Sequence, residues 1–182
     1  MDGLIVLMIV AAVIPAVASL SLWLGDAGIA ERHHSHHDTY VIAGTLIWSL
    51  AFAMIVMGSL GILLGWLCVI GAFNANGMVV MSFFDAFLVV SFIYWAFLRR
   101  YKVVTYDGHM EVTPFFGRTT SIAYSDISAM EWAVSILVPN GRNVRVYVDR
   151  RRKALLWAGL DLDQILIRID RYDALDDLAI NR

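Results

Sequence analysis

Cysteine is almost absent: Cys68 is the single one in the chain. One thiol closes no intramolecular disulfide and builds no cysteine-rich metal site. Basic residues are equally scarce through the first half, where Arg32 is the only one of the fourteen Lys and Arg to precede position 99. Charge as a whole is thin, at 16% of residues against 59% hydrophobic, which excludes an ordinary soluble domain. Also missing are a Gly-rich phosphate loop, a serine elbow and a metalloprotease helix. Outside one short tract the only histidine is His109, and the carboxylates of the second half are scattered through turns and the final helix. These absences point to a non-enzymatic protein without a cofactor. Residues 99–182 carry thirteen bases and eleven acids, a balance too weak for a nucleic-acid partner.

What the first half does hold is three apolar runs. Leu4–Leu24, Tyr40–Ile70 and Met78–Leu98 each supply the roughly 20 apolar residues that a helix needs to cross ~30 Å of hydrocarbon. The second run is longer than needed, so it tilts or protrudes. No Lys or Arg precedes the first run, which makes an uncleaved anchor the expectation despite the cleavage-like Ala16-Val17-Ala18. Arg99-Arg100-Tyr101-Lys102 directly follows the third run. Cations beside a span stay on the cytoplasmic side. The expected protein is thus a multi-pass protein of the inner (plasma) membrane, with its N-terminus outside. Residues 1–98 form the transmembrane domain and residues 99–182 a cytoplasmic domain.

The period changes after Tyr101. Lys102–Tyr106 alternates and ends at Asp107-Gly108, a dipeptide suited to a positive-φ hairpin turn. His109–Thr113, Arg118–Tyr124, Met130–Val138, Asn143–Asp149 and Lys153–Gly159 follow as predicted strands, with Pro114, Gly117 and Asn140-Gly141 as turn signals. Leu162, Ile165, Leu166 and Ile169 then fall at helical spacing behind Asp161, a natural N-cap. The expected class is α+β: three helices, about six to seven antiparallel strands, and one C-terminal amphipathic helix.

This order resembles the pleckstrin-homology-like domains of bacterial membrane proteins. The residues that carry the resemblance are Tyr101–Gly108, then Phe116-Gly117-Arg118, then Ile122-Ala123-Tyr124-Ser125-Asp126-Ile127, within roughly residues 101–172. Much of that family is uncharacterised, so the resemblance implies a fold and a membrane-side binding module. Its phosphoinositide-binding relatives use basic residues around the first hairpin. Here that turn is acidic, at Asp107, and the basic run lies elsewhere.

Four groups of residues are candidates for function. Arg150, Arg151, Arg152 and Lys153, in a predicted turn, would attract anionic lipid or an acidic partner, or simply keep the domain soluble. Asp85 lies about seven residues, or roughly 10 Å, into the third run. An acid there faces protein or water, so it fixes helix packing or meets a partner subunit. Gly61 and Gly65 form a small-residue ridge for close helix approach, within the chain or between copies. His33, His34, His36 and His37 form a tract with three readings: a metal site, a pH sensor or a plain polar loop. The leading expectation is a membrane-anchored binding or scaffold module that engages lipid headgroups, a protein partner or a second copy. The alternative is an accessory subunit of a larger transport or export complex.

Overall fold

Uninterrupted apolar sequence makes helices wherever the backbone must satisfy its own hydrogen bonds. The computed structural model, which describes residues 2–26, 37–135, 138 and 141–176, has three such helices. They are α1 (Asp2–Asp26), α2 (Gly44–Val69) and α3 (Gly77–Arg100). Each is long and apolar enough to cross a membrane. They pack through glycine. A Cβ built on Gly58 would lie 2.6 Å from the Ala11 carbonyl oxygen. On Gly61 it would lie 2.9 Å from the Phe84 Cβ, and on Gly65 2.7 Å from the Met81 sulfur. Contacts that climb α1 and α3 therefore descend α2, which runs antiparallel to both. Pro15 sits within α1 and has no N–H to give the Ala11 carbonyl. That same oxygen meets the bare face of Gly58.

The chain divides into two compact units. The first contains the helices. The second takes in Asp38–Val41 as well as everything from Phe97 onward, so the last turn of α3 belongs to it. Asp38–Val41 is strand β1, a correction to the reading of Tyr40 as the start of the second span. Tyr40 and Val41 are as apolar as a helix entry, and Thr39 before them is β-branched. Their β-branched and aromatic side chains suit an edge strand equally well.

Seven further strands complete this unit: β2 (Lys102–Thr105), β3 (His109–Thr113), β4 (Thr120–Ala123), β5 (Ile127–Val134), β6 (Arg142–Val148), β7 (Arg151–Leu156) and β8 (Leu175–Asp176). One sheet has the order β1-β2-β3-β4, all antiparallel. The other has the order β7-β6-β5-β8; only the short β8 is parallel to its neighbour. Val103, Met110, Val112, Ile122, Met130, Val144, Val146 and Leu156 fill the interior. Helix α4 (Leu162–Ile169) buries all four residues of its predicted stripe. The Asp161 carboxylate caps it, accepting from the Gln164 N–H at 3.2 Å. Beyond α4, the Arg171 guanidinium donates to the Tyr124 and Ile127 carbonyls, at 2.6 and 3.2 Å, and pairs with Asp173.

Three turn predictions need correction. The hairpin at Asp107-Gly108 forms, with the Tyr106 N–H on the His109 carbonyl at 2.8 Å. Neither turn residue takes positive φ. The Gly108 carbonyl accepts from the Tyr124 N–H instead. In the link from β6 to β7, by contrast, Asp149 and Arg150 both take positive φ, at 50° and 61°. Finally, β5 ends at Val134 rather than Val138, so its link to β6 is residues 135–141. Of the predicted Asn140-Gly141 pair, Asn140 lies outside the described residues; the Gly141 carbonyl accepts from the Ser135 N–H at 3.0 Å.

Candidate binding site beside the seventh strand

Tyr101 is the first residue after α3, and it is almost wholly buried. Its hydroxyl donates to the Leu155 carbonyl at 2.7 Å and accepts from the Trp157 N–H at 3.0 Å. Two satisfied bonds to neighbouring positions fasten the start of the sheet unit to the end of β7. Burial pushes this hydroxyl up to about 12, so it stays neutral wherever the protein works. The Tyr101 ring stacks on Phe115 with centroids 4.5 Å apart. Trp157 meets Tyr101 and Phe115 edge-on, at 6.3 and 5.5 Å.

Phe115 and Phe116 come from the connection between β3 and β4. Pro114 opens it, and Gly117, at φ 95°, turns the chain back ahead of Arg118 and Thr119. The Thr113 and Thr119 hydroxyls meet across its base at 3.0 Å. The tip folds back onto the last turn of α3. There the Phe116 ring rests on Phe97 at 4.2 Å, and the Arg100 guanidinium donates to the Gly117 carbonyl. Phe116 nevertheless remains 70% exposed.

The opposite wall is β7, the edge strand of its sheet. Val146 pairs with Ala154 but Tyr147 pairs with Arg152, so Lys153 is a bulged residue with no partner on β6. In a regular strand, consecutive side chains point to opposite faces. The bulge breaks that alternation, and Arg152 and Lys153 both line one open cavity. Its volume is about 320 Å³, and Tyr101, Phe115 and Phe116 line its other side. Among the described residues that line it there is no carboxylate. The cavity can take an anion joined to a short apolar or ring-facing segment.

Comparison with protein-family models, with curated proteins and with solved structures gave no match to this chain.

The four basic residues picked from the sequence separate. Arg150 occupies the tight turn and Arg151 pairs with Val148 at the strand's start; only Arg152 and Lys153 reach the cavity. The run is therefore mostly strand, not turn. Sequence reasoning missed Tyr101, Phe115 and Phe116 as site residues. The available signal was two aromatics placed between Pro114 and Gly117, where a turn leaves large rings exposed.

The helix residues lie in the other unit. Asp85 is 6% exposed, and neither carboxyl oxygen has a hydrogen-bond partner among the described residues. Gly61 and Gly65 are covered by Phe84 and by Met81 and Met8 of the same chain. These three positions thus face inward. Of the histidine tract, His33, His34 and His36 lie outside the described residues. His37 is described, its ring 5.3 Å from that of Tyr106, whose other neighbour is His109 at 4.4 Å. The described residues include no group of three or more metal-ligating side chains.

The acid of the first hairpin is engaged. Asp107 accepts from Arg168 of α4 at 3.0 Å, and Arg168 also lies 3.5 Å from Asp38 of β1. These are exposed pairs, each worth at most about 1 kcal/mol.

Proposed function

We propose that this chain is a non-enzymatic, membrane-anchored binding module. Three helices hold a pleckstrin-homology-like domain at the cytoplasmic face of the inner (plasma) membrane, where it engages lipid headgroups or a protein. The observation that carries this reading is the cavity walled by Tyr101, Phe115 and Phe116 and by Arg152 and Lys153. It combines a concave shape with aromatic and cationic chemistry, which is the usual make-up of a binding site. It begins one residue after the third apolar helix, so its ligand is met close to where the chain leaves the membrane. The element order, an antiparallel two-sheet unit followed by one amphipathic helix, supports the pleckstrin-homology-like assignment.

The accessory-subunit reading draws less support. The features that would have met a partner within the membrane, Asp85 and the Gly61/Gly65 ridge, are turned into the helix unit.

The test is native mass spectrometry of the full chain released from its membrane in mild detergent. The expected result is a companion of defined stoichiometry, either lipid or protein. A bare chain that exchanges every lipid freely would overturn the binding-module reading.

A further inference from the structure

Building on the binding-module reading, we infer that the cavity beside β7 holds one anionic phospholipid headgroup, with its phosphate on Arg152 and Lys153 and its glycerol carbons against Tyr101, Phe115 and Phe116. The two walls differ in chemistry, and an anionic phospholipid is the amphiphile that matches both. The bulge at Lys153 puts two adjacent basic residues on one wall, and no carboxylate is among the described lining residues. The facing wall offers rings to carbon. A volume of about 320 Å³ is at the lower end of ligand pockets. It suits a headgroup and its glycerol rather than a whole two-chain lipid.

The source of the anion follows from the chain. The Pro114–Gly117 connection is held to the last turn of α3 by Phe97 and Arg100. Its tip presents an exposed Phe116, an aromatic of the kind that settles at a membrane–water boundary. Arg100, on the Gly117 carbonyl, adds positive charge beside it. A domain tethered this closely meets lipid phosphate at far higher local concentration than soluble phosphate. Free phosphate would also leave the aromatic wall without a partner.

The experiment uses the full chain in detergent, stripped of lipid and titrated with short-chain phosphatidylglycerol or phosphatidylcholine. Retained lipid is counted by native mass spectrometry. The expected result is one phosphatidylglycerol per chain, held about tenfold more strongly than phosphatidylcholine and weakened by about tenfold or more in R152S/K153S. Both side chains are exposed, so the double variant is expected to melt like the wild type. Phe116→Ser, equally exposed, should weaken lipid retention through the other wall. Equal retention of the two lipids, or phosphatidylglycerol retention unmoved by R152S/K153S, overturns the assignment. Displacement of the lipid by an equal concentration of inorganic phosphate would assign the site to a soluble anion and overturn the lipid source. A protein companion released by R152S/K153S would overturn it in favour of an acidic protein segment. A companion that survives R152S/K153S sinks only the cavity assignment, whereas a bare wild-type chain sinks the binding module as well.

Discussion

One phenol ties the start of the sheet unit to the end of β7. Tyr101→Phe keeps the ring stack on Phe115 but removes the donor to Leu155 and the acceptor for the Trp157 N–H. Leaving that buried N–H unpaired costs about 1–3 kcal/mol, visible as a lower melting temperature of the full chain in detergent. The same group makes stability depend on alkaline pH. Burial raises Tyr101 from 10.0 to about 12. The unfolded chain therefore loses this proton first. The contribution is complete below pH 10, falls away as pH rises towards 12, and amounts to roughly 2–3 kcal/mol. Tyr124, also buried and also raised to about 12, adds in the same direction. Melts between pH 9 and 12 should show the loss, and Tyr101→Phe should flatten it. An unaltered slope in that variant would show that other groups govern the alkaline limit.

At the scale of elements, the helix unit makes a graded prediction. Gly→Ala inside a helix gains about 0.5–1 kcal/mol from backbone entropy, so the sign of each substitution rests on what the methyl meets. At Gly58 it meets a backbone carbonyl at 2.6 Å, which cannot yield without moving α1. At Gly61 it meets the Phe84 Cβ at 2.9 Å, nearly as fixed. At Gly65 it meets the flexible ends of Met81 and Met8. At Gly44 nothing lies within 4 Å. Overpacking costs typically 1–3 kcal/mol. Thermal melts should therefore rank Gly58→Ala as most harmful, Gly61→Ala next and Gly65→Ala mild, with Gly44→Ala neutral or stabilising. In the sheet unit, Ile165 is fully buried on α4, and Ile165→Ala is expected to cost about 2–5 kcal/mol. Position along the chain signalled each of these elements well. The glycine spacing marked a close helix contact, and the i, i+3, i+4, i+7 stripe marked the buried face of α4. Neither pattern names the facing residue, because a period describes one element and a contact needs two.

For the whole molecule, the second unit is discontinuous. β1 lies between the first two long helices in sequence, yet pairs along its whole length with β2, from Asp38 opposite Thr105 to Val41 opposite Lys102. A fragment of residues 97–182 would lack it, and β2 would become an open edge, a template for association. Such a fragment should self-associate in light scattering, and joining residues 37–43 to its start should restore a monomer. A monomeric 97–182 would show that β1 is dispensable. The sequence by itself determined three long apolar helices, an alternating antiparallel unit and a capped terminal helix. Composition, period and turn residues are local, and these features are local too. Only the tertiary structure decided that Tyr40 is strand rather than span, because its partner lies more than sixty residues away. Only it decided that Asp85, Gly61 and Gly65 face their own chain. It also split the basic run, since a bulge is a mismatch between two strands and cannot be read from one. At that mismatch Arg152 and Lys153 come to line one cavity together with Phe115 and Phe116.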